Sequence, residues 1–177
     1  KTPSFAAGTV ETKNGKLYET PVYDANGAVD SGTVFELSII KTTLGFEQEI
    51  KGIQLEDNSS IDLFESWNKL EGKASPYDGL WQLSSRNEVD GVSDFSEIKM
   101  IGGGHFVWYH TWSGDSTDHA DFGYGAFIDN GNGNVTEVAQ AGSIAGYEGE
   151  WSVNYVKVGA DMIQQTYVNE ATGAESI

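Results

Sequence analysis

Apolar residues recur with a period of two along this chain, and turn-forming pairs cut the pattern at short intervals. This confines the chain to short strands. Phe35, Leu37 and Ile39 alternate with Glu36, Ser38 and Ile40, and Trp151, Val153 and Tyr155 alternate with Ser152, Asn154 and Val156. Ala120, Phe122, Tyr124 and Ala126 alternate with Asp121, Gly123, Gly125 and Phe127. Successive strand side chains point to opposite faces, so each pattern lays one face on a core. Asn14-Gly15, Asn26-Gly27, Asp90-Gly91, Ser113-Gly114, Asn130-Gly131-Asn132-Gly133 and Thr172-Gly173 supply the turns. The spacing predicts eleven strands, near 4–11, 16–23, 33–41, 46–55, 61–70, 79–87, 97–112, 119–129, 134–141, 149–158 and 161–169. Ile61, Phe64 and Trp67 are spaced by three and also fit a helix, but an internal repeat favours a strand there. The expected fold is all-β, an antiparallel barrel or strongly curved sheet of about ten strands.

Composition agrees and narrows the function classes. Glycine is 22 of 177 residues against 3 prolines, where glycine is typically about 7% of a chain. Lys and Arg number 10 and Asp and Glu 27, a net charge of −17. That argues against nucleic acid and anionic membrane, which reward clustered basic residues. The absence of cysteine removes disulfides, thiolate nucleophiles and cysteine-bound zinc. The densest apolar patch, Val34 to Ile40, is broken by Glu36 and Ser38, far short of the roughly 20 residues of a membrane span. The chain starts Lys1-Thr2-Pro3 rather than at a methionine, which reads as a processed or trimmed form. The expected location is extracellular or periplasmic, with a signal peptide removed.

The repeat has a drifting offset. Phe5 to Glu11 sits over Phe122 to Ile128 at 117 residues, and Leu17-Tyr18-Glu19 over Val135-Thr136-Glu137 at 118. Phe35, Leu37, Ile39 and Lys41 match Trp151, Val153, Tyr155 and Lys157 at 116, and Ile50 and Leu55 match Ile163 and Val168 at 113. Residues 1–71 then read as the C-terminal half of a unit, 72–78 as a linker, and 79–177 as a nearly complete second unit. One continuous barrel over 1–177 is the alternative. On this reading the natural polypeptide is longer at both ends, or the N-terminal half completes the second unit's barrel.

Gly79-Leu80-Trp81-Gln82-Leu83, Ile98-Lys99-Met100-Ile101 and His105-Phe106-Val107-Trp108 resemble the small lipocalin-like domains of secreted bacterial proteins. Gly123-x-Gly125 and Thr136-Glu137 stand where that family has a Gly-x-Gly strand and a Thr-Glu hairpin. Glu65-Ser66-Trp67 resembles its closing Glu-x-Trp in the first copy, and the second copy lacks it. The resemblance covers 79–168 well and 5–70 more loosely. It implies an antiparallel lipocalin-like (calycin-type) barrel. It implies no chemistry, since most such domains have no assigned activity.

The segment from Glu97 to Trp112, taken as one strand, carries the richest set of side chains. Its even face holds Ile98, Met100, Phe106, Trp108, His110 and Trp112 and is expected to point inward, unless Gly102-Gly103-Gly104 flips the phase. His110 then stands between two tryptophans, as a general base, a ligand anchor, a metal ligand or an ordinary core histidine. His119 returns near it across a hairpin, and a His110–His119–Asp121 cluster matches no specific zinc signature. No metal and no cofactor are expected. Asp24-Ala25-Asn26-Gly27 with Asp30, and Asp129 to Asn132, are oxygen-rich turns that ordinary hairpin geometry explains. Arg86, the only arginine, is placed to clamp a carboxylate or to sit in a surface ion pair. No nucleophile elbow, phosphate loop or dinucleotide fingerprint occurs.

The functional expectation is binding of a small, largely apolar or aromatic ligand in a cavity walled by Trp81, Phe106, Trp108, His110, Trp112, Tyr124 and Trp151, with Arg86 at hand. An anionic ligand is disfavoured by the net charge unless Arg86 or Lys99 lies at the site. The alternatives are an enzyme of isomerase, lyase or hydrolase type using His110 or His119 as acid/base, and a carbohydrate-contacting module of a longer secreted protein. A homodimer is compatible with the half-repeat.

Overall fold

Asn-Gly and Gly-Gly pairs set the strand boundaries because their backbones adopt the left-handed conformation that a two-residue hairpin needs. Asn14 and Gly15 have φ of 53° and 76°, Gly103 and Gly104 57° and 78°, and Asn132 and Gly133 54° and 83°. A computed structural model describes residues 5–24, 27–28, 32–55, 57–88, 90–114, 117–168 and 175–176. These residues are all-β, with no helix among them.

Among the described residues the chain divides into two compact units, one running up to Leu70 and the other from Glu71 onward. The first unit is a sheet of β1 (Ala6–Lys13), β2 (Lys16–Asp24), β4 (Phe35–Lys41), β5 (Gly45–Gln54) and β6 (Ser60–Asn68) in that order, with the short β3 (Gly27–Ala28) on β2. The second is an eight-stranded antiparallel meander: β7 (Gly79–Gln82), β8 (Ser93–Gly102), β9 (His105–Gly114), β10 (Thr117–Gly131), β11 (Asn134–Gly142), β12 (Gly149–Lys157), β13 (Ile163–Val168) and β14 (Glu175–Ser176). This sheet curls into a half-barrel. The strand expected near 61–70, where a helix was the alternative, is β6.

Three expectations change. The single strand over 97–112 is a hairpin, because Gly103-Gly104 turns the chain rather than bulging it. The turn also reverses the phase. Ile98 and Met100 pair with Tyr109 and Val107 on the face opposite Trp108 and are 43% and 53% exposed. Residues 72–78 belong with the second sheet: Tyr77 is buried there, donates its hydroxyl to Tyr155 O at 3.2 Å, and accepts from Trp81 Nε1 at its carbonyl at 2.9 Å.

The third change concerns the repeat. β1-β2-β4-β5 and β10-β11-β12-β13 follow one another in the same order and share register: Leu17 pairs with Leu37 as Val135 with Val153, and Glu19 with Phe35 as Glu137 with Trp151. Ile39 pairs with Gln48 as Tyr155 with Gln165, and Leu37 with Ile50 as Val153 with Tyr167. Ile50 therefore answers to Tyr167, not to Ile163, whose counterpart is Phe46. Both copies shift register at the same glycine. A Cβ on Gly8 would meet Thr20 O at 2.2 Å, and one on Gly125 would meet Val138 O at 2.0 Å. Only glycine permits so close a crossing of two backbones.

The second unit holds the larger core. Tyr77, Ile101, Phe106, Trp108, Phe127, Val135, Val153 and Tyr155 are buried together, with Trp81, Tyr147, Ile163 and Tyr167 packed against them. In the first unit Leu37 and Ile50 are the buried apolar residues among those described.

Candidate functional site

The inward row of β9 organises the concave side of the second sheet. Trp108 is paired across the sheet with Lys99 and Gly123, and His110 with Glu97 and Asp121. Trp112 is paired with His119. Directly paired residues share a face, so these rows run from the core outward along β9. Gly123 makes room at the centre: a Cβ there would meet the Tyr147 ring at 2.6 Å and Trp108 at 2.7 Å. Tyr147 thus reaches in from the β11–β12 connection, edge-on to Trp108 at 5.3 Å, and accepts from Trp108 Nε1 at 2.7 Å.

His110 is enclosed by rings and flanked by carboxylates. Its ring stacks on Trp108 at 4.7 Å and 21° and tilts against Phe95 at 4.8 Å. Nδ1 lies 3.5 Å from Glu97 Oε2, and Nε2 lies 3.5 Å from Asp121 Oδ2. Asp121 is fixed in turn by Trp112 Nε1 at 3.3 Å and Ser143 Oγ at 2.8 Å. The Arg86 guanidinium lies over the Phe95 ring, 3.9 Å from its centre. The His110, Glu97 and Asp121 side chains are 14%, 19% and 24% exposed, so the group borders solvent. A histidine held between two carboxylates is placed to move a proton or to pair as an imidazolium.

Beneath it lies a buried polar cluster. Lys99 Nζ donates to Glu137 Oε1 at 2.7 Å and to Gln165 Oε1 and the Tyr167 hydroxyl at 3.3 Å each. Tyr155 donates to Glu137 Oε1 at 2.5 Å, and Tyr167 donates to Glu137 Oε2 at 3.2 Å. Burial alone pulls the Lys99 ammonium down, but the Glu137 carboxylate and the Tyr155 hydroxyl overcome it and hold it above the usual lysine value. Burial pushes the Tyr155 and Tyr167 phenols far above the ordinary tyrosine value, and Glu137 adds to the rise. The cluster is internally satisfied, so Lys99 offers no free charge to an anionic ligand.

Phe106 lies in the core and Trp81 packs on it. Trp108, His110 and Trp112 line the concave side, and Arg86 stacks on Phe95. His119 stacks on Trp112 at 4.0 Å and takes a 2.8 Å hydrogen bond with Thr117 Oγ1. Among the described residues no three of His, Cys, Asp and Glu stand close enough to hold a metal ion. Tyr124 pairs with Val107 and Ala141 on the opposite face and is 46% exposed, so it is no wall of this site. The wrong-way placement arises because β10 turns Asp121, Gly123 and Phe127 inward instead of Phe122 and Tyr124. Trp151 lies opposite Glu137 but is 48% exposed. In the turn at Asp129, Oδ1 accepts from Gly131 N at 2.8 Å, while the Asp24 turn reaches beyond the described residues.

Sequence patterning misses Phe95, Glu97, Glu137, Tyr147 and Tyr155 as members of this site. The available signal was Glu137, an acid at an inward position of the Val135-Glu137-Ala139 alternation. A charge at such a position needs a buried partner. Comparison with protein-family models, curated proteins and solved structures yields no match to this chain.

Proposed function

We propose that the second unit binds a small, largely apolar or aromatic ligand at the outer end of its concave face, against Trp108, His110, Trp112 and Tyr147. The observation that carries this reading is the run of rings from Tyr147 through Trp108 and His110 to Phe95, which borders solvent and carries carboxylates at its rim. Rings in this arrangement present apolar area at low entropic cost. Glu97 and Asp121 favour a neutral or cationic polar end on the ligand, and Glu137 already neutralises Lys99. We read the curled sheet as a lipocalin-like cup, on the motif resemblance over 79–168, and place its action outside the cytoplasm on the same resemblance.

Titration with the neutral probe N-phenyl-1-naphthylamine, followed by its fluorescence, tests the reading. Saturable enhancement is expected. Trp112→Ala should weaken binding about threefold to tenfold, the worth of one aromatic contact. No saturable binding, or binding that ignores Trp112, overturns it.

His110 between Glu97 and Asp121 favours a second reading, acid/base catalysis on the bound molecule. His110→Gln would then abolish turnover while the probe still binds. Equal turnover in the two proteins removes this reading.

A further inference from the structure

Tyr147 sits where the strands beside it carry no side chain. Gly123 of β10 and Gly142 of β11 are paired directly across the sheet and so share a face. A Cβ on Gly123 would meet the Tyr147 ring at 2.6 Å, and one on Gly142 would meet it at 2.7 Å. The two glycines open a recess that a side chain at either position would fill. Trp108 walls it, edge-on to the tyrosine ring at 82°, and its Nε1 donates to the tyrosine hydroxyl at 2.7 Å. The recess therefore selects a flat ring with an oxygen at its far end that accepts from an indole N–H. Glu97 and Asp121 lie alongside, against His110, and disfavour an anionic oxygen there. A ring with a neutral hydroxyl is a phenol.

The segment that supplies Tyr147 is tied at its ends rather than along its length. Ser143 is fixed by hydrogen bonds to Phe122 and Asp121. From Ile144 to Glu148 every residue except Tyr147 is exposed. Among the described residues, the one hydrogen bond from this stretch to another element is that from Trp108 to Tyr147. Gly146, at φ 74°, and Gly149 stand on either side of Tyr147, and glycine lets a backbone rotate at little steric cost.

The geometry points to Tyr147 as an internal stand-in for a phenolic ligand. The segment swings out, the ligand's ring takes the Gly123–Gly142 recess, and its hydroxyl takes the bond from Trp108 Nε1. This rests on the reading of the ring-lined face as a ligand site, and adds the class of the ligand and the step that admits it. The His110 ring stacks on the same Trp108 at 4.7 Å, so the phenol enters beside the group held between Glu97 and Asp121.

The probe is p-cresol, the tyrosine side chain as a free molecule, titrated into the full 177-residue protein by NMR beside toluene, which lacks the hydroxyl. The protein should bind one p-cresol. Tyr147→Ala should bind it about tenfold more tightly, because the tyrosine no longer competes for the recess. In that variant p-cresol should outbind toluene about threefold to tenfold, the worth of one hydrogen bond, and adding Trp108→Phe should erase the preference. Tyr147→Phe keeps the packing and loses the bond to Trp108, which guards against a misfolded alanine variant, and it should tighten p-cresol binding about threefold. Bound p-cresol should also speed amide exchange across residues 143–148, which a fixed core tyrosine would not show. Binding by Tyr147→Ala alone, with none by the unaltered protein, would mean that Tyr147 never vacates and would overturn the proposal. So would equal binding by the two proteins, or none by either. Saturable N-phenyl-1-naphthylamine binding in those cases would leave the ligand site standing, and only its phenolic class and its gate would fall.

Discussion

At the residue scale, Lys99 and Glu137 are the charged residues buried among those described. Their side chains are 6% and 4% exposed, so each depends on the other for solvation. Removing one partner of such a pair costs about 3–5 kcal/mol, because the survivor is left charged and buried. Glu137→Gln and Lys99→Met should each destabilise the second unit by about that amount, and the double variant by clearly less than the sum. Urea unfolding followed by tryptophan fluorescence measures this, and additive losses would show that the two charges do not answer each other. The tyrosines of the cluster give a pH dependence of definite sign. Tyr155 and Tyr167 are raised above the ordinary tyrosine value of 10.0 by burial, so from about pH 10 the unfolded chain releases protons that the folded chain retains. Their contribution is complete below that pH and is lost as pH rises further. Lys99, also raised, acts in the same direction. Stability measured between pH 8 and 11 should therefore fall steeply above pH 10, and Tyr155→Phe should flatten the fall.

At the element scale, the paired bulges require glycine in the backbone. A methyl on Gly125 or Gly8 would sit 2.0 or 2.2 Å from a carbonyl oxygen of the neighbouring strand. Gly125→Ala should cost about 3 kcal/mol or more, the upper range for steric overpacking. Gly8→Ala should loosen β1 and β2 while leaving β10 and β11 intact. Amide hydrogen exchange on each variant distinguishes the two, and a matched loss in both sheets would contradict it. Much of this layer was legible from sequence. Alternation gave the strands, Asn-Gly pairs gave two hairpins, and the 117–118 residue offsets for β1 and β2 agree with the observed register. The β8–β9 hairpin was not legible, because both strands are apolar on alternate residues and Gly102-Gly103-Gly104 fits a bulge as well as a turn. That one ambiguity reversed the face of Ile98, Met100 and Lys99 and hid the buried ion pair. Tyr124 was misplaced for a related reason: Gly123 and Gly125 take the inward positions on either side of it, so no apolar side chain marks the core face of β10 before Phe127. Tyr147, in a connection, is fixed by tertiary packing that no periodicity records.

At the scale of the whole molecule, the net charge of −17 is spread over a chain of 177 residues. Such self-repulsion opposes compact states and is screened by salt over a distance of about 10 Å at 0.1 M. Sodium chloride raised from about 0.02 to 0.5 M should therefore lift the melting temperature. A flat response in calorimetry would show that the carboxylates are already offset locally. The unequal cores predict unequal melting. The first unit buries Leu37 and Ile50 among its described apolar residues and the second buries a cluster of eight, so the first should melt at the lower temperature.

The strand order also has a mechanical consequence. In the meander from β7 to β14 every strand is bonded to its neighbours in sequence, and the two ends of the run lie on opposite edges of the sheet. A pull applied through those ends loads the ladders across the strands, breaking hydrogen bonds one after another instead of shearing many at once. The second unit should therefore yield under tension by unzipping, strand by strand, at low force. The Lys99–Glu137 contact joins β8 to β11 across strands that are not neighbours, and it is where that unzipping should pause.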